Sequence, residues 1–358
     1  MQKILMEVEK MDLTQNINFY APANIFNGKG VLLIQKDALI DNKGVERLKS
    51  HGVKFVETIV VPKDVEVAMP MPFGIVNAEN FEVFTNNYKV QQDTAKVHLE
   101  ALTNNESVDI DEIYDITESL VNGVQDKKDV FTYMWFLQDF DDHTFVHSNN
   151  VSILANTFGR WLKLSEDELK MLTVAGLLHD LGKLDIPKHI LNKPGKLDEQ
   201  EFEIIKSHPM LGYEKVKDQD LPEEVKKAIL MHHERIDGSG YPNGLSGDEI
   251  HKFAKIIAIC DIYDAMCSKR PHRDKRCPFT VISRFEKDMI GFLDTEMLFV
   301  FLENIAQNYI GAWAKLTNGR NAEIMLINPN SISKPYVRYE NGEVISLDES
   351  DIGIAHLI

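Results

Sequence analysis

Side chains able to bind metal ions recur inside apolar helical stretches of this chain, and that recurrence limits its possible folds more than any other feature. His147 stands in FVHSNNVSIL, His179-Asp180 in AGLLHDLGKL and His208 in IKSHPMLGYEKV. His232-His233 close KKAILMHH, and Asp261 lies in AKIIAICDIYDAMC. Imidazoles and carboxylates are costly to bury without partners, so the helices carrying them must converge until these groups meet. Nine of the 12 histidines fall between residues 143 and 272, which places that meeting point in one region. Neighbouring side chains on a helix diverge by about 100°, so His232 and His233 are suited to two different metals, or to a metal and a substrate.

Together these residues supply five imidazoles and two carboxylates, about the ligand count for two octahedral cations with positions left for water and substrate. A carboxylate can bridge two cations and an imidazole cannot. The set is nitrogen and oxygen without sulfur, which suits Fe or Mn and leaves Zn, Co or Ni open. Asp264, one turn after Asp261, is expected to support a ligand through a hydrogen bond. Lys183, three residues after Asp180, faces the same way and is placed to neutralise a phosphate.

Around this region the chain changes texture. VLLIQ (31–35), NKGVERLKSHG (42–52) and VKFVETIVVP (53–62) read as strand, glycine-closed helix and strand. A proline- and glycine-punctuated connection follows at 68–80. From about residue 107 to 310 the pattern is helical and mostly amphipathic. The tail from 316 to 349 is β-rich and joined by Asn-Gly turns. The expected fold is mainly α, with a helical bundle, a small N-terminal α/β module and a small C-terminal β-rich appendage. The domains are drawn at 1–100 (accessory), 101–139 (helical linker), 140–310 (metal-binding bundle) and 311–358 (appendage).

A net charge of −17 argues against a nucleic-acid polymer or an anionic membrane as partner. No apolar run approaches the roughly 20 residues of a bilayer span, and MQKILMEVEKMD lacks a signal-peptide core. The odd count of 3 cysteines, without metal-type spacing, reads as small buried hydrophobes in a cytoplasmic protein.

Residues 140–310 resemble the HD-GYP family, a branch of the HD-type metal-dependent phosphohydrolases. HSNNVSILA, LLHDLGKLDIPKHILNKPGKL, KSHPMLGYE, HHERIDGSGYPNGLSGDEI and AKIIAICDIYDAMCSKRPHR run in the family's order. The resemblance implies a helical HD-type domain and hydrolysis of cyclic di-GMP, to linear dinucleotide or GMP, by a hydroxide held on a binuclear metal centre. It implies His147, His179, Asp180, His208, His232, His233 and Asp261 as metal ligands, with Asp180 bridging and Fe ahead of Mn or Zn. Asp180 and Lys183 take the catalytic roles. Lys183 and Arg270 are implied phosphate contacts, Arg273 is implied to bind substrate, and Gly240 and Tyr241 belong to the loop beside the nucleotide.

Three departures stand out. SKRPHR replaces the family's usual SDRPYR, putting Lys269 for an acid and His272 for a tyrosine. His143 occupies a position where some members carry a glutamate for a third metal, which favours two metals here. FLDTEM (292–297) stands where an FDP-like stretch is common. The first of these motivates an alternative reading, an adaptor of low turnover that binds a partner such as a diguanylate cyclase through its GYP loop.

Overall fold

A computed structural model describes residues 3–11, 17–21, 25–27, 32–34, 40, 42–62, 78–104, 106–123, 130–131, 133–134, 143–193, 195–268 and 276–357. Most of the connection read at 68–80, and the SKRPHR residues from Lys269 to Arg273, lie outside them.

The N-terminal module pairs β1 (Lys3–Glu7), β5 (Phe55–Pro62) and β2 (Ile17–Tyr20) as an antiparallel sheet in that order. A second pair joins β3 (Ile25–Phe26) to β4 (Leu32–Ile34), and α1 (Asn42–Ser50) lies between β4 and β5 in the chain. Gly52, at φ +73°, ends α1 as the sequence suggested. Val8, Phe19, Leu33, Ile40, Leu48 and Val56 form this module's own core.

Helix α2 (Ala78–Thr103) departs from the sequence-based division, which left it with the accessory module. Phe84, Tyr88, Ala95, Leu99 and Leu102, spaced by three, four or seven residues, share a helical face and are buried in the helical core instead. Next come α3 (Ile110–Asn122), N-capped by Asp109, α4 (His143–Trp161) and α5 (Glu166–Leu178), which opens on a Ser165–Glu168 capping box. A 3-10 turn at Leu181–Asp185 leads to α6 (Lys188–Leu191), α7 (Glu199–Lys206), α8 (His208–Val216) and α9 (Glu223–Met231). Pro209, in the first turn of α8, fits a position where its missing N–H costs nothing. The bundle is completed by α10 (Lys252–Cys267), α11 (Pro278–Arg284) and α12 (Thr295–Gln307).

Helix α10 is apolar nearly all round, so it runs through the bundle's centre against α4 and α9. Asp261 and Asp264 are buried within it, and no apolar neighbour can satisfy either. The three cysteines are buried, and none forms a disulfide among the described residues. Among the described residues, no helix is long and apolar enough to cross a membrane.

The appendage is a five-stranded antiparallel sheet, β10 (Ile354–Leu357), β6 (Trp313–Leu316), β7 (Asn321–Leu326), β8 (Tyr336–Tyr339) and β9 (Val344–Ser346) in spatial order. Its inward residues alternate, and Ala314, Leu316, Ala322, Ile324, Val337 and Tyr339 join the helical core. Gly319 and Gly342, each after an asparagine, take positive φ in the predicted turns. The molecule is thus mainly α, with a small sheet at each end of the chain.

Candidate metal centre

Helix α5 stops at Leu178, and the chain tightens into the 3-10 turn immediately after His179-Asp180. Gly182 makes that turn possible against α8. A Cβ on it would collide with the backbone of His208 and Gly212, so only glycine lets the two segments touch. This close approach brings Asp180 and His208 together. Helix α9 adds His232 and His233 from its C-terminal end, α4 adds His147, and α10 adds Asp261.

The two oxygens of Asp180 face different groups. Oδ1 lies 3.3 Å from Nε2 of His208 and 3.9 Å from Nε2 of His232. Oδ2 lies 3.4 Å from Nε2 of His179 and 3.6 Å from Nε2 of His147. Two sets therefore share one carboxylate: Asp180, His208, His232 and His233, and His147, His179 and Asp180. Within each set the ligating atoms lie within 4.8 Å of one another. Asp261 reaches toward both, with Oδ1 2.9 Å from His147 Nε2 and Oδ2 4.0 Å from His233 Nδ1.

His232 and His233 fall in the same set, where the sequence suited them to two different metals or to a metal and a substrate. Helix α9 ends at Met231, so His233 leaves the helical screw that would have separated the pair. Their ring centroids are 4.2 Å apart.

The imidazoles are oriented from behind. Nδ1 of His179, His208 and His232 each sits 2.7–2.8 Å from the carbonyl three residues earlier, at Gly176, Ile205 and Ile229. A carbonyl only accepts, so each Nδ1 carries a proton and each ring turns its Nε2 inward. His147 uses a carboxylate for the same purpose, with Nδ1 2.7 Å from Asp264 Oδ2. The supporting role expected for Asp264 matches this contact.

Nε2 of His208 and of His232 stand 3.2 Å apart, while His179 Nε2 and Asp180 Oδ1 are buried without a hydrogen-bond partner. Burial and the neighbouring histidines keep His232 uncharged, far below the usual imidazole pKa. Burial takes His233 down to about 3. At Asp180 burial opposes ionisation, yet His179, Lys183 and His208 outweigh it and hold the carboxyl well below its ordinary range. At His147 burial works against protonation, but hydrogen bonds to Asp261 and Asp264 prevail and raise it to about 9. Inward imidazole nitrogens around ionised carboxylates form a donor set that fits divalent cations.

Lys183 donates to Asp180 Oδ2 at 2.6 Å and is only partly buried, so its ammonium sits between the carboxylate and solvent. Tyr241 stacks on His233 with centroids 4.8 Å apart, and its N–H donates to the His233 carbonyl. Gly240 is required by packing, since a Cβ there would strike the backbone of Glu234 and Arg235. Arg270 and Arg273 lie outside the described residues.

Sequence reasoning passed over Glu234 and Asn150. Glu234 is buried and accepts from the N–H groups of Asn243 (2.7 Å) and Leu245 (3.0 Å), which ties the glycine-rich loop to the helix end. Its signal was a carboxylate directly after the paired histidines. Asn150 donates to Asp264 Oδ1 at 2.9 Å, and its signal was a polar run, Ser148-Asn149-Asn150, inside an apolar helix.

Comparison with known proteins places this geometry. Residues 131–283 match the family model described as HD domain. Cyclic di-GMP phosphodiesterase PA4108 of Pseudomonas aeruginosa is 35% identical over 203 residues, 56% of this chain and 49% of that protein. The cyclic di-GMP phosphodiesterase response regulator RpfG of Xanthomonas campestris pv. campestris is 43% identical over 136 residues, 37% of this chain and 36% of its own. The 3'3'-cGAMP-specific phosphodiesterase 1 of Vibrio cholerae is 33% identical over 221 residues, 59% of this chain and 48% of its own. The chain thus spans half or less of each of these curated relatives. Among solved structures, Bd1817, an HDG"Y"P protein from Bdellovibrio bacteriovorus, superposes with a TM-score of 0.52 at 17% identity. That alignment covers 84% of this chain and 98% of the other, a likeness of fold. Residues 131–283 are thus similar to the HD domain, and the fold is like that of the HDG"Y"P protein.

Proposed function

We propose that this protein is a metal-dependent phosphodiesterase that hydrolyses a cyclic dinucleotide, cyclic di-GMP first, to linear dinucleotide or GMP. The observation that carries the reading is Asp180, whose two oxygens each face a separate group of inward imidazoles. His147, His179 and Asp261 would hold one divalent cation and His208, His232 and His233 a second, with Asp180 bridging and Fe, Mn or Zn in that order. Such cations supply Lewis acidity toward a phosphate oxygen and toward an attacking water.

The chain's own groups do the rest. Lys183 engages Asp180 with one N–H and keeps two donors for a phosphate oxygen, where they offset charge developing in the transition state. Tyr241, braced on His233, presents an aromatic edge beside the mouth. The bound phosphodiester is thereby oriented against a site closed on its inner side by buried helices, which limits misdirected attack. Curated relatives named for cyclic di-GMP or for 3'3'-cGAMP support the substrate class.

The test is incubation of protein loaded with Fe, Mn or Zn with cyclic di-GMP and, separately, with 3'3'-cGAMP. Linear dinucleotide or GMP is the expected product. Failure of every metal-loaded form to turn over either substrate would overturn the proposal.

A further inference from the structure

The buried face behind His147 continues beyond its carboxylate partner. Asp264 receives His147 on Oδ2 and the Asn150 amide on Oδ1. Asn150 Oδ1 in turn accepts the hydroxyl of Tyr88 at 2.6 Å. All four residues are buried, and Tyr88 is 1% exposed. His147 with Asn150 on α4, and Asp261 with Asp264 on α10, are each spaced by three residues, so each pair presents one helical face to the other. Tyr88 belongs to neither helix. It comes from α2, ahead of the segment that matches the HD domain.

Direction matters in this chain of bonds. A carboxylate only accepts, so the Asn150 amide nitrogen must point at Asp264 and its carbonyl oxygen must point away. The Tyr88 hydroxyl donates to that oxygen and fixes which way the amide is turned. With the amide reversed, oxygen would face oxygen across 2.9 Å and Asp264 would lose a donor. The carboxylate would then be held only through Oδ2, by His147 and the Ser268 hydroxyl, and the ring on it would be less firmly placed.

We infer that Tyr88 is a positioning residue for the metal-facing nitrogen of His147, acting through Asn150 and Asp264. The inference rests on the metal reading of His147 proposed above. It extends the working site to a helix outside the matched domain. Outer partners of a metal-ligating histidine commonly affect metal affinity by 10- to 100-fold.

Mn2+ titration of the whole 358-residue chain, stripped of metal, tests it by calorimetry. Tyr88→Phe keeps the ring against Phe84 and removes only the hydroxyl, and it is expected to weaken Mn2+ binding about tenfold or more. Asn150→Ala should weaken binding similarly, and the double variant should be little worse than either single one. Gln91→Leu, also on α2 but hydrogen-bonded to Thr117, should stay within about twofold of wild type. Tyr88→Phe within twofold of wild type would overturn the inference, as would an equal loss in Gln91→Leu. A wild-type chain that takes up no Mn2+ would overturn the metal reading beneath it.

Discussion

Nε2 of His208 and Nε2 of His232 face each other across 3.2 Å, each ring held by a carbonyl bond on its far side. Two lone pairs at that separation repel unless a proton or cation lies with them. Burial and neighbouring imidazoles keep the proton off His232. Stripping metal with a chelator should therefore lower the thermal midpoint, and Mn2+ at about 100 times its dissociation constant should restore roughly 2.7 kcal/mol. His232→Ala should abolish most of the difference between stripped and loaded protein. An unchanged midpoint on adding metal to wild type would count against the site.

Asp180 and Lys183 touch at 2.6 Å but should fail differently. Asp180→Ala removes the carboxylate shared by both groups, so metal analysis should show loss of metal together with activity. Lys183→Ala leaves every proposed ligand in place. It should retain metal while kcat falls about 100- to 1000-fold, the usual loss for one donor to a developing charge. Full metal content and turnover in Asp180→Ala would rule out its bridging role.

Metal-free protein should grow less stable between pH 6.5 and 9. His147 is raised from 6.5 to about 9 in the folded chain, so its contribution is complete below pH 6.5 and disappears as pH rises through 9. His233 lies at about 3 when folded and is uncharged in both states over that interval, so it does not oppose the trend. Below pH 6.5 its unfolded form gains a proton that the folded form rejects, and stability falls again on that side. Urea midpoints of chelated protein at pH 5.5, 6.5 and 9.5 should peak at the middle value, with a span of roughly 1–3 kcal/mol. A midpoint that climbs steadily to pH 9.5 would contradict the assignment.

The glycine-rich loop should respond to two different edits in the same way. Glu234→Ala leaves the Asn243 and Leu245 N–H groups without their shared acceptor, and Gly240→Ala forces a Cβ into the Glu234 backbone. Each should raise KM for the cyclic dinucleotide several-fold with metal content unchanged, because the loop carries Tyr241 and none of the proposed ligands. Glu234→Gln keeps one acceptor oxygen and should fall between wild type and Glu234→Ala. Loss of metal in these variants would show that the loop does more than hold Tyr241.

How far the sequence could be read depended on whether a residue's partner was nearby in the chain. The His-Asp pair, Pro209 opening α8, the Asn-Gly turns and the apolar run around Asp261 each announce themselves locally, and the structure places them as expected. The placement of α2 did not follow, since a helix's own pattern says which face is buried but not against what. Glu234 and Asn150 were missed for a related reason. Their value lies in backbone amides and a carboxylate 9 to 114 residues away. The paired histidines stand closer than a continuing helix would set them, because α9 ends at Met231.

Gly182 has a consequence for tolerance to change. Where two backbones touch without a side chain between them, no repacking of neighbours can absorb an added methyl group. The seam between the turn after Asp180 and the start of α8 can therefore yield only by separating His208 from Asp180. Substitution there acts as a wedge between the two sets of imidazoles, although Gly182 offers no atom to a metal, a substrate or a proton.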